Sequence, residues 1–166
     1  MNKKRFDKII KNIKNVKIQG ATDIAKAALE AYSLFPSEKS KKKLISLRST
    51  EPLLFNVLNR VNKISNKEIL NHFSSTQEKI NEYVLRIIKN NDVVFTHCHS
   101  TSVINALIYA KKKKKKFSAL NTETRPLYQG RKTSRELGKN KIKITTYVDS
   151  GMHEAIKKAD KVFIGA

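Results

Sequence analysis

A single cysteine, Cys98, stands in the run Thr96-His97-Cys98-His99-Ser100-Thr101-Ser102, directly after the apolar Val93-Val94-Phe95. A thiol ahead of a helix N-terminus feels the positive end of the helix dipole, which favours thiolate and suits a nucleophile or an acid/base group. A lone cysteine is also often a buried, inert side chain, and position alone leaves both roles open. The flanking histidines invite a metal. One thiol without a second paired motif is not a zinc spacing, so no metal is expected. His97 then reads as a packed strand-end residue, and His99 and Ser100 as polar contacts. Arg125 follows Glu123 just after a second apolar run. Its guanidinium could clamp a phosphate by paired hydrogen bonds or brace the loop through Glu123, and the two roles are compatible. Asp149 ends a third run, where it could hold a ligand hydroxyl or cap a helix beginning near Gly151. No G-x-G-x-x-G follows the first run and no G-x-x-x-x-G-K-[ST] occurs, so nucleotide-cofactor and NTPase chemistry lack their usual support and no cofactor is expected.

Two regions of different period must position these residues. Up to residue 91 the apolar residues recur at helical spacing. Phe6, Ile9, Ile10, Ile13 and Val16 form one stripe, and Gly20 breaks it. Ala21 to Leu34 is a second helix, ended by Pro36. Ser37 is placed to cap a third, Glu38 to Leu47, and Pro52 opens a fourth, Leu53 to Ile64. The longest predicted helix buries Ile69, Leu70, Phe73, Ile80, Tyr83, Val84, Ile87 and Ile88. From Asp92 short apolar runs alternate with helical patterns. The predicted strands are Val93–Thr96, Phe117–Asn121, Ile142–Val148 and Lys161–Ile164. The helices between them are Ser102–Ala110, Gln129–Leu137, with Gly138 at its C-terminal end, and Gly151–Ala159. Alternation with short connections predicts an α/β fold with a parallel, Rossmann-like sheet and flanking helices. The domains are expected at 1–91, helical, and 92–166, α/β. In open parallel sheets ligands bind beyond the carboxyl ends of the strands, where the Cys98, Arg125 and Asp149 segments all fall.

The chain has 166 residues, with 35 Lys+Arg against 14 Asp+Glu and a net charge of +21. Almost all of the excess is lysine spread along the chain; arginine is sparse and tryptophan absent. The aromatic-plus-basic signature of a single-strand binder is missing, so RNA is not the expected partner. The run Lys111 to Lys116 reads as a solvated helix end complementing the dipole. No apolar stretch approaches the roughly 20 residues that cross a membrane, and one cysteine suits a reducing, cytoplasmic compartment.

Taken in order, Thr96-His97-Cys98-His99-Ser100, Glu123-Thr124-Arg125-Pro126 with Gln129-Gly130, Tyr147-Val148-Asp149-Ser150 and Phe163-Ile164-Gly165-Ala166 form a recognisable pattern. The chain resembles the family that unites the alpha, beta and delta subunits of translation initiation factor 2B with two sugar-phosphate isomerases. Those isomerases act on ribose 1,5-bisphosphate and on methylthioribose 1-phosphate. Ile18-Gln19-Gly20-Ala21 and Leu47-Arg48-Ser49-Thr50-Glu51-Pro52 look like the family's N-terminal elements.

The resemblance implies a helical domain followed by a Rossmann-like domain, in a homo-oligomer or with a second chain. It implies an aldose-ketose isomerase of ribose 1,5-bisphosphate, or alternatively a non-catalytic initiation-factor-like subunit that binds a sugar phosphate or nucleotide. Cys98 matches the family's catalytic cysteine. Arg125 and Gln129 match its phosphate rim, while Gly20, Ala21 and Arg48 match residues that approach the phosphate from the helical domain. Ser49 stands where the family usually has proline. The family's catalytic aspartate follows the Gly-Ala that ends the fourth strand. Here that position lies past Ala166, so the expectation is a fragment that is inactive by itself and leaves an apolar sheet edge at the fourth strand.

Overall fold

The computed structural model describes residues 2–165. By contacts the chain divides into two compact units, one ending at Ser75 and the other beginning at Thr76.

The first unit is helical. α1 (Asn2–Lys14), α2 (Ala21–Leu34), α3 (Glu38–Ser46) and α4 (Pro52–Arg60) bury Ile13, Ile24, Leu44, Leu54 and Leu58 in one core. Ser37 caps α3 as expected, its side chain accepting the Ser40 N–H. Val16 departs from the predicted stripe. It sits beyond α1 at φ 56°, where Lys17 N–H returns to Asn12 O and Val16 N–H to Ile13 O. This closes α1 with a left-handed residue in the Schellman pattern. α5 (Asn66–Ile87) begins with a capping box: Ser65 N–H donates to Glu68 Oε2 at 2.8 Å and Glu68 N–H to Ser65 Oγ at 3.2 Å.

The division between units falls within α5. Its first turns place Ile69 and Phe73 against Ala25, Leu29 and Val57. Its last turns place Ile80 and Val84 in the core of the second unit. The change of partner near residue 75 and the change of period near residue 91 are therefore separate boundaries. Leu70 and Tyr83, expected in the buried stripe of this helix, are exposed. A single stripe cannot serve a helix whose two ends pack in different cores.

The second unit is a four-stranded parallel sheet of order β3-β2-β1-β4, with β1 Val93–Thr96, β2 Ser118–Thr122, β3 Lys143–Tyr147 and β4 Lys161–Phe163. The crossovers are α6 (Thr101–Lys112), α7 (Gln129–Lys139) and α8 (Met152–Lys157). Helices cover the central strands, so Val94, Phe95, Ala119 and Leu120 are buried, and in β2 so are the polar Asn121 and Thr122 at its carboxyl end. The chain runs β1 to β2 to β3 outward, then returns to the other side of β1 for β4, so the topological switch lies between β1 and β4. Among the described residues β4 lies at one edge of the sheet, with Val162 exposed and Ile164 just after it exposed as well. Among the described residues no helix is long and apolar enough to cross a membrane.

Gly138, expected at the C-terminal end of α7, lies within its last turn and does not close it. The left-handed residue is Lys141 at φ 59°, with Lys141 N–H bonded to Gly138 O and Ile142 N–H to Leu137 O.

Candidate functional site

In the second unit, the three loops at the carboxyl ends of β1, β2 and β3 are tied together by hydrogen bonds. Cys98 adopts φ 63°, a left-handed conformation unusual for a residue with a side chain. Its thiol donates to Gln129 Oε1 at 2.8 Å, and its N–H to Thr124 Oγ1 at 3.1 Å. Cys98 is half-buried, so the inert-core reading does not describe it.

Asp149 is the hub of this loop cluster. Its carboxylate accepts the Thr124 N–H at 2.8 Å and the Arg125 N–H at 2.7 Å. His97 Nδ1 lies 2.6 Å from Thr122 Oγ1, which joins the loop after β1 to the end of β2. The N–H of Arg125, with that of Thr124 and the Thr122 hydroxyl, holds Asp149 below the usual aspartate range. The helix-cap expectation for Asp149 fails. It opens a single 3-10 turn, Asp149–Gly151, with no side-chain cap, because both oxygens are taken by the loop after β2.

Glu123 is buried, with its two oxygens turned to two arginines. Arg125 Nε reaches Oε1 at 2.7 Å and Arg131 Nη2 reaches Oε2 at 2.7 Å. Both guanidiniums also lie near the Tyr128 ring, at 5.4 and 4.0 Å from its centroid. The bonds from Arg125 and then Arg131 hold Glu123 below the ordinary glutamate range, and Glu123 in turn raises Arg125. The arginine side chains remain 63% and 56% exposed. Two oriented cations thus face outward from a rim that follows β2. Arg131 is absent from the residues that the sequence singles out. The signal was present: two arginines lie within eight residues of one buried acid.

Gly130 lets α7 start against the sheet. A Cβ there would lie 1.7 Å from Thr122 O. The close approach allows Gly130 N–H to bond Glu123 O at 3.1 Å, and Gly130 O to accept from the fully buried Asn121 Nδ2 at 2.7 Å. These bonds fix the start of α7, and with it Gln129 and Arg131 on either side. Ser100 is the N-cap of α6, its side chain accepting the Val103 N–H. His99 Nδ1 lies 3.1 Å from Thr133 Oγ1, whose hydroxyl donates to Cys98 O at 2.7 Å.

Three sequence-predicted residues belong to the first unit. Gly20 precedes α2 at φ 90°, Ala21 is the first residue of that helix, and Arg48 lies in the turn between α3 and α4. The Arg48 Nε is buried and, among the described residues, has no hydrogen-bond partner.

The depressed carboxylates give the rim a pH signature. A carboxylate with a lowered folded pKa stabilises fully above its unfolded value, and that stabilisation disappears as pH falls through the folded value. For Glu123 and Asp149 the loss therefore begins below the usual values of 4.5 and 3.8. Thermal melts between pH 7 and 3 should be flat at first and then fall steeply. In a Glu123→Gln/Asp149→Asn variant the acid limb should be shallower. An unchanged acid limb would show that other carboxylates carry it.

The class of protein follows from comparison with known sequences. A family model described as the initiation factor 2 subunit family matches residues 12–166. The chain belongs to that family. Its relatives carry two kinds of name. A ribose 1,5-bisphosphate isomerase from Thermococcus kodakarensis is 32% identical over 193 residues, covering 95% of this chain and 60% of its own length. One of the same name from Methanocaldococcus jannaschii is 34% identical over 180 residues, covering 93% and 58%. A Pyrococcus furiosus protein named putative translation initiation factor eIF-2B subunit 2-like is 25% identical over 178 residues, covering 96% and 64%. Among solved structures, the Pyrococcus horikoshii translation initiation factor eIF-2B has the same fold, with a TM-score of 0.81 at 21% identity, covering 98% of this chain and 66% of that one. The chain spans about 60% of the length of the isomerase relatives it matches.

Proposed function

We propose that the rim after β1, β2 and β3 binds a sugar bisphosphate, ribose 1,5-bisphosphate, and that Cys98 takes part in its aldose-ketose isomerisation. The observation that supports this most directly is the pair of outward-facing guanidiniums on buried Glu123, one loop away from the Cys98 thiol. Paired N–H donors on a planar cation match phosphate oxygens, and anchoring the arginines in advance lowers the ordering cost of binding. Moving hydrogen between neighbouring carbons needs one group that accepts a proton and one that donates it. Cys98 is assigned to that pair, with Gln129 as the positioning residue that holds its sulfur. Asp149 is not the partner, because its oxygens accept the loop N–H groups. Gly20, Ala21 and Arg48 are assigned to phosphate binding on the strength of the family resemblance. Assembly into an oligomer and a cytoplasmic location belong to the same proposal.

Two measurements test it. Ribose 1,5-bisphosphate should raise the melting temperature of this chain, and Arg125→Ala/Arg131→Ala should remove the shift. A chimaera carrying this chain's residues in place of the matched segment of the Thermococcus kodakarensis isomerase should convert the aldose to the ketose. Cys98→Ser in that chimaera should abolish conversion while binding persists. Undiminished conversion by the serine variant sinks the role of Cys98. The relatives with initiation-factor names favour a second reading, a non-catalytic subunit that binds the same ligand. Binding without conversion by the chimaera would support it.

A further inference from the structure

We propose that the end of the sheet opposite the candidate site is a contact surface for the phosphate backbone of a nucleic-acid duplex. In a parallel sheet every helix-to-strand connection lies at one end, here the end away from Cys98 and Arg125. β2 and β3 are neighbours in register, Ser118 beside Lys143, so the α6–β2 and α7–β3 connections lie side by side, one strand spacing of about 4.8 Å apart. The first presents Lys112, Lys113, Lys114 and Lys116, all exposed; the second presents Lys139, Lys141 and Lys143, also exposed. Neither connection contains Asp or Glu. The acids that precede β1 and β4 at this end of the sheet are engaged: Asp92 holds Lys161 Nζ at 2.6 Å, and Asp160 accepts the Val93 N–H at 2.8 Å.

The backbone supplies a second, independent observation. Both connections close with the same Schellman pattern. Lys114 N–H bonds Lys111 O and Lys115 N–H bonds Ala110 O; Lys141 N–H bonds Gly138 O and Ile142 N–H bonds Leu137 O. The residue that must adopt the left-handed conformation is Lys114 at φ 67° in one and Lys141 at φ 59° in the other. That position ordinarily takes glycine, which enters the region without a Cβ penalty. Twice the chain places a lysine where a glycine would be easier to fold. A solvated helix end requires neither lysine, since the dipole is already complemented by Lys111 and Lys112 in one helix and Lys139 in the other.

The chemistry of the patch selects the partner. Lysines are point charges that hold phosphates without reading bases. Among the described residues no arginine and no exposed large hydrophobic falls in either connection. A single strand would call for stacking aromatics, and a membrane surface for apolar anchors beside the charge. A duplex backbone needs only the regular cations.

The test uses the whole chain and a short DNA duplex of random sequence, titrated at several salt concentrations. Binding should weaken steeply with salt, and removing one phosphate-binding cation should lower the log–log slope by about 0.9. The decisive variant is Lys114→Gly/Lys141→Gly, which removes two charges while easing the backbone. It should melt at the same or a higher temperature, bind about tenfold more weakly at low salt and reduce the slope by nearly two. Lys39→Gln/Lys42→Gln, an equal charge change on α3, should leave slope and affinity nearly intact. Equal losses in the two variants would show diffuse attraction to the net charge and overturn the proposal. Tighter binding to vesicles of phosphatidylserine, or to polyglutamate, than to the duplex would overturn it in favour of a membrane or an acidic protein. Absence of duplex binding at low salt would overturn it as well. None of these outcomes depends on the sugar-phosphate reading, whose residues lie at the other end of the sheet.

Discussion

Among the glycines of the second unit, Gly130 is the one where an alanine methyl should do the most damage. The new carbon would sit 1.7 Å from the carbonyl oxygen of Thr122. The obstacle is backbone in a central strand, so no side chain can swing aside and α7 itself must retreat. Overpacking against fixed atoms costs about 1–3 kcal/mol and occasionally more, and this contact belongs at the upper limit. Retreat also breaks the Asn121 Nδ2 bond to Gly130 O inside the protein, which leaves a fully buried amide without its acceptor. That adds about 1–3 kcal/mol. Chemical denaturation of Gly130→Ala should therefore show a loss of at least about 3 kcal/mol, together with loss of ligand binding, since Gln129 and Arg131 move with the helix. A loss under about 1 kcal/mol would mean that α7 slides at little cost, and the close approach would not be what fixes the rim.

Asp149→Ala is the counterpart for turnover. The half-buried aspartate holds the backbone N–H groups of Thr124 and Arg125. Without it two N–H groups lose their acceptor, Thr124 no longer supports the N–H of Cys98, and Arg125 loses its fixed starting point. A displacement of about 1 Å at a reacting centre can cost about a hundredfold. Conversion of ribose 1,5-bisphosphate by the chimaera described above should fall about a hundredfold when it carries Asp149→Ala. In Asp149→Asn the loss should be smaller, because one acceptor oxygen remains. Equal losses in the two variants would point to the charge of Asp149 rather than to its role as acceptor.

Much of this arrangement could be read from the residues. The bounds of α2 at Ala21–Leu34 and of β1 at Val93–Thr96 coincide with the sequence reading. An Ala/Leu-rich run between Gly20 and Pro36, and a β-branched run behind Asn-Asp, leave little choice. The parallel sheet was legible from alternation alone. What escaped was set by tertiary contact. Arg131 on a helix resembles any solvated arginine until Glu123 is seen buried beneath it. Asp149 looked like a cap because caps are local, whereas its partners lie 24 and 25 residues away in the chain. Tyr83 fitted a stripe whose period continued although the packing partner had changed. The left-handed positions Val16, Lys114 and Lys141 were hidden because each carries a residue type that rarely goes there.

The bond between Thr133 and Cys98 O has a practical consequence. The Thr133 hydroxyl has a single proton, and it is spent on that carbonyl. The oxygen can then only receive from His99, so the Nδ1 of His99 carries hydrogen whether or not the ring is charged. Most neutral histidines favour the opposite tautomer in solution only weakly, so their ring nitrogens report an average. His99 is locked, next in sequence to the proposed catalytic cysteine, and in ¹⁵N-enriched protein its ring resonances give a gauge of that loop: any ligand that shifts Cys98 moves the same carbonyl and registers at His99.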